Sequence, residues 1–78
     1  MGEIIAEFAH MHHLEHREMR DEIFNGWIFT FINPRTNYKW SFIIRDIEVT
    51  ESNIWPEELI KYRLDKAPRE LFDSFRWR

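Results

Sequence analysis

Cysteine is absent from the chain, which removes disulfide staples, thiolate metal sites and cysteine nucleophiles together. A reducing compartment fits that composition. Glycine occurs only at Gly2 and Gly26, too sparsely for a phosphate-cradling loop. Ser41, Ser52 and Ser74 stand in no G-x-S-x-G turn. No charged-then-apolar leader opens the chain, and Glu3 and Glu7 would spoil one. The longest uncharged stretch, Ile23 to Pro34, is too short to cross a bilayer as a helix. These absences lead us to expect a cytoplasmic chain with no membrane segment. Length is short too: 78 residues make one domain that buries only about 60% of its unfolded surface. A walled catalytic pocket with supporting residues needs more chain, so neither enzyme activity nor a cofactor is expected.

What the chain does hold is aromatic side chains: four Trp, seven Phe and two Tyr. Each ring buries roughly 150–250 Å², an alternative to disulfides for stabilising a small core. A domain this small can hardly hide them all, and exposed Trp and Tyr are favoured interface anchors.

The formal charge of −3 conceals a division. Residues 1–22 set six acids against Arg17 and Arg20. Residues 23–45 contain no acid and carry Arg35, Lys39 and Arg45. Residues 46–78 carry eight acids and six bases. An acidic start therefore sits beside a basic middle.

Residues 3–22 support two readings. Ile4, Ile5, Phe8, Met11, Met19 and Ile23 fall on one helical stripe, with Asn25-Gly26 as a left-handed stop. Alternatively Ile4, Ala6, Phe8 and Leu14 mark a strand, with Asn25-Gly26 as a hairpin turn. The next segment is clearer. Trp27, Phe29 and Phe31 alternate with Ile28, Thr30 and Ile32, and Tyr38, Trp40, Phe42 and Ile44 alternate likewise. Such a period-2 pattern around Asn33-Pro34-Arg35-Thr36-Asn37 predicts an antiparallel hairpin. Pairing Phe31 with Tyr38, Phe29 with Trp40 and Trp27 with Phe42 would put six rings on one face. The second strand is expected to run on through Ile47 and Val49. Trp55-Pro56-Glu57-Glu58-Leu59 and Ala67-Pro68-Arg69-Glu70-Leu71 both read as helix starts, with Pro at the first helical position. Leu59, Ile60 and Leu64 from the first helix, and Leu71, Phe72 and Phe75 from the second, would meet the core.

The expected architecture is α+β: one domain over residues 1–78, with a central antiparallel hairpin of two or three strands. An N-terminal helix (or strand) and two short C-terminal helices would pack on one sheet face.

His10, His12, His13 and His16 are all four histidines of the chain. On a helix, His12 and His16 would be one turn apart, the spacing with which two imidazoles grip a metal. The run His12-His13-Leu14-Glu15-His16 also fits the H-x-x-E-H pattern. A third ligand on another element has no obvious source, so a solvated histidine face is the expected account. Protonating all four would take the formal charge from −3 to +1, which makes the cluster a candidate pH-sensitive contact. The aromatic, basic hairpin raises a nucleic-acid alternative, in which unpaired bases stack on rings beside Arg35, Lys39 and Arg45.

Small size, surplus rings and segregated charge fit best a non-enzymatic binding protein that regulates or inhibits a larger macromolecular partner. Such chains are common among phage and mobile-element inhibitors, small subunits and antitoxins. The candidate partner-binding residues are Trp55, Trp77, Arg35, Lys39 and Arg76. Homodimerisation through the open hairpin edge is a further use for the surplus rings.

Overall fold

The computed structural model describes residues 2–73. In chain order they form α1 (Gly2–Met11), β1 (Glu15–Asp21), β2 (Gly26–Asn33), β3 (Tyr38–Arg45), α2 (Asp46–Ser52), α3 (Pro56–Leu64) and a 3₁₀ helix (Arg69–Phe72). The three strands make one antiparallel sheet in the order β1-β2-β3. The domain is α+β, as expected from the sequence.

The helical reading of residues 3–22 holds for their first half only, and the strand marked by Ile4, Ala6, Phe8 and Leu14 does not form, because the segment is helix to Met11 and strand only from Glu15. α1 ends in a Schellman motif: the Leu14 N–H donates to the Ala9 carbonyl (2.8 Å) and the His13 N–H to the His10 carbonyl (3.3 Å). His13 takes the left-handed position, at φ 56°. Histidine tolerates that conformation better than most side chains but less well than glycine. Leu14 and Ala9, the apolar pair that accompanies the motif, are both in the core. Beyond the stop the chain runs antiparallel to β2, from Glu15 opposite Ile32 to Asp21 opposite Gly26. The proposed helical stripe is thereby broken. Ile5 is buried, whereas Met11, Met19 and Ile23 are exposed.

A hairpin turn does form here, but it spans Glu22–Asn25, with Asn25 as its last residue and Gly26 already the first of β2. Asn25 is left-handed at φ 51°, and its carbonyl accepts the Asp46 N–H at 2.8 Å. Gly26 is needed for approach: a Cβ there would lie 2.7 Å from the Ile44 carbonyl oxygen.

β2 and β3 pair with Phe31 opposite Trp40, Phe29 opposite Phe42 and Trp27 opposite Ile44. The expected register was off by two residues, which preserves the face while moving every partner. The physical reason is Asn33. It pairs with Tyr38 at the end of the ladder, and its buried side chain anchors the turn. Its Oδ1 accepts the Arg35 N–H at 2.9 Å, and its Nδ2 donates to the carbonyls of Leu71 (3.0 Å) and Asp73 (2.7 Å).

The second correction concerns Ile47 and Val49, which lie in α2 and not on an extended β3. Glu48 turns the chain: one carboxylate oxygen accepts the Arg45 N–H at 2.9 Å, the other pairs with Arg63 of α3 at 2.7 Å. α3 begins at Pro56 as predicted. The second proline start diverges, because Pro68 precedes a four-residue 3₁₀ helix. Phe75 lies outside the described residues.

The core lies on the aromatic face of the sheet. Ile5 and Ala9 of α1, Ile60 and Leu64 of α3, and Leu71 pack there with Phe29, Phe31, Phe42 and Ile44. Phe31 stands at the centre, stacked with Trp40 and edge-on to Phe8. The hydrophobic residues of the opposite face, Met19, Ile28, Ile32 and Ile43, are outside this cluster.

Candidate functional site

Of the six rings expected on the stacking face, three are in the core and Trp27, Tyr38 and Trp40 are partly buried against it. Phe29, Phe31 and Phe42 are buried beneath the helices, so an unpaired base has no access to them. The helices need an apolar floor, and this face supplies it.

The histidines do not form the helical pair. α1 stops at Met11 and His16 lies on β1, so the four-residue spacing loses the geometry that gave it meaning. His12 packs between the rings of Phe8 and Phe72, with centroids 4.7 Å away on each side. Among the described residues no group of three or more His, Asp or Glu is placed to hold a metal ion.

The candidate partner-binding residues fall on separate elements. Arg35, in the β2–β3 turn, donates to the carbonyls of His13 (3.0 Å) and His12 (3.3 Å). It thus closes the negative end of α1. Lys39 is exposed on β3, on the sheet face away from the core. Trp77 and Arg76 lie outside the described residues.

Trp55 is different. It occupies the N-cap of α3, with an extended backbone and no side-chain hydrogen bond to the helix, and it is 78% exposed. An indole N–H is a donor and cannot accept from the free N–H groups of a helix start. The ring therefore does nothing for the helix and little for the core. Three adjoining grooves of about 580, 380 and 430 Å³ surround this corner between α2 and α3. Ile54, Leu59 and Tyr62 recur in their walls, with Ile47 and Trp55 at the flanks. Ile54 and Leu59, on either side of the helix start, share one wall. The Lys66 ammonium sits 4.8 Å from the centre of the Tyr62 ring. Charged residues in the walls are Glu48, Glu51, Glu58 and Asp65 against Lys61 and Arg63. Arg63 is already matched with Glu48, which leaves the corner acidic. Tyr62 and Ile47 were missed in the sequence because no periodicity sets them apart. Only the turn between α2 and α3 brings them together.

No protein-family model, curated protein or solved structure matches the chain. Among the described residues no helix is long and apolar enough to cross a membrane.

Proposed function

We propose that the chain is a non-enzymatic protein-binding module that regulates a larger partner, with the α2–α3 corner as its contact surface. The observation that carries this reading is Trp55: a large ring held in solvent at a position where a small polar residue would serve the helix better. Exposed Trp in an apolar patch with a polar rim is the composition of an interface hot spot. The acidic walls favour a partner segment that offers an apolar side chain flanked by Lys or Arg.

The test is Trp55→Ser. Serine supplies the missing cap oxygen, so the variant should fold at least as stably as the wild type, gaining up to about 1 kcal/mol. Loss of a hot-spot Trp should weaken partner binding by at least roughly thirtyfold. Tagged wild type and variant are compared by affinity capture from the native host, then by titration with the recovered partner. A stoichiometric partner held equally well by both proteins would refute the assignment of the corner.

A further inference from the structure

We propose that the open face of the sheet, on the side away from the core, packs against the same face of a second copy of this chain. The two-fold axis would run parallel to the strands. This surface is separate from the Trp55 corner and does not depend on it.

The first indication is β2 itself. In an antiparallel sheet with one wet face, apolar and polar residues alternate; a strand covered on both sides is apolar throughout. Trp27-Ile28-Phe29-Thr30-Phe31-Ile32 is of the second kind apart from Thr30, which stands between Arg17 and Ser41 and shares a 2.9 Å hydrogen bond with the Ser41 hydroxyl. Its odd-numbered residues meet the core, while Ile28 and Ile32 point the other way and lie outside the core cluster. The ladder places Met19 and Ile43 on either side of Ile28.

The second indication is the charge pattern across the ladder. One end row reads Glu15, Ile32, Lys39 from β1 to β3, and the other reads Asp21, Gly26, Arg45. Both rows are acidic at β1 and basic at β3. An axis parallel to the strands exchanges β1 with β3 and keeps each row in place. Glu15 then faces the other copy's Lys39, Asp21 faces its Arg45, Ile28 and Ile32 meet their own equivalents, and Met19 meets Ile43. An axis across the strands would set Glu15 over Asp21 and Lys39 over Arg45, like charge on like. The pattern is self-complementary for one arrangement and repulsive for the other. Sheets so packed lie about 10 Å apart with strands aligned within about 30°, a gap that Glu and Lys side chains bridge.

The β1 edge is a poorer candidate. β2 is paired on both sides, and β1 presents Glu-His-Arg-Glu-Met-Arg-Asp at its edge, a sequence that discourages strand addition. Three strands by seven residues give a face of roughly 14 by 23 Å, on the order of 500 Å² of accessible surface per copy. That is the low end for a specific interface, so a dissociation constant in the micromolar range is expected.

Sedimentation equilibrium on the full chain, at low salt and up to about 500 µM, well above the expected dissociation constant, tests the proposal. The wild type should dimerise, and Glu15→Lys and Lys39→Glu alone should each weaken the dimer at least roughly tenfold, because each sets like charges together at two places. Mixing the two single variants should restore association as a heterodimer, since every facing pair is again complementary. Both changes are at exposed positions, and circular dichroism verifies the fold. A wild type that remains monomeric overturns the proposal. So does a dimer indifferent to both reversals, which would locate association at the β3 edge or the Trp55 corner.

Discussion

Removing the Asn33 side chain should cost more stability than removing any other single polar group of the described fold. Asn33 is the buried polar residue of the core, and its amide satisfies three backbone groups: the Arg35 N–H and the carbonyls of Leu71 and Asp73. In Asn33→Ala those bonds vanish together. A net contribution of about 0.5–1.5 kcal/mol for each, plus the penalty for a buried carbonyl left unpaired, gives about 3 kcal/mol. A domain of this length has roughly 4–12 kcal/mol in total, so the loss is a large fraction of it. The midpoint of thermal unfolding should fall by more than about 10 °C. Asn33→Asp is the sharper probe. It keeps an acceptor for Arg35 but points a carboxylate oxygen at two carbonyl oxygens. At neutral pH it should be worse than alanine, and the folded state should raise the pKa of the new carboxyl. Protonation restores one donor, so the deficit relative to wild type should shrink as pH falls through that raised folded pKa and level off near about 4, the range of the unfolded carboxyl. Urea unfolding followed by tryptophan fluorescence, at neutral and acid pH, measures both effects. If Asn33→Ala unfolds within about 0.5 kcal/mol of wild type, the hairpin turn is not held by this residue and the reasoning fails.

Two other perturbations have definite signs. His13→Gly should stabilise the domain by about 0.5–1 kcal/mol, measured by urea unfolding, because glycine takes the left-handed stop of α1 without the Cβ penalty and gives back part of that gain as chain entropy. Asp46 is held below the usual carboxylate range, chiefly by its hydrogen bonds from Arg20 at 2.9 and 2.6 Å, with burial opposing and the Arg20 charge assisting. A lowered folded pKa means that the stabilisation is present above the ordinary Asp range and is lost as pH falls through the folded value. Asp46→Asn should therefore flatten the acid limb of a stability–pH profile, modestly, because the pair is solvent-exposed.

The hairpin, its aromatic face, the helix at Pro56 and the core residues Ile60, Leu64 and Leu71 were legible because each follows from one strong local signal. The parts that were not legible share a physical cause. β1 has no apolar alternation. It is a strand because β2 offers a ladder and because α1 is stopped at His13, where no glycine advertises the stop. α2 contains Ile47 and Val49, whose branched side chains suggest a strand. What turns it into a helix is Glu48, reaching one way to the Arg45 N–H and the other way to Arg63. The register depended on Asn33 being buried, and an asparagine before a proline reads as a surface turn until the carbonyls of Leu71 and Asp73 are seen beside it. Trp55, a candidate contact residue in the sequence, is exposed, but the groove around it exists only where α2 and α3 meet. Arg35, a candidate contact residue from its charge, also donates to the His12 and His13 carbonyls at the end of α1, a role no local signal announces.

Synthesis of the chain on a ribosome gives the Asn33 anchor a further meaning. Its acceptors lie 38 and 40 residues downstream, and the buried Leu71 comes with them. During translation the sheet can therefore assemble before the groups that fix its turn have emerged. Contacts so distant in sequence are slow to form and are rewarded only when the loop closes. A nascent chain halted before Leu71 would carry an aromatic sheet with its floor part-covered and Asn33 unsatisfied. Such a product should be prone to aggregation and open to proteases, so the Leu71–Asp73 segment acts as the clasp that closes the sheet.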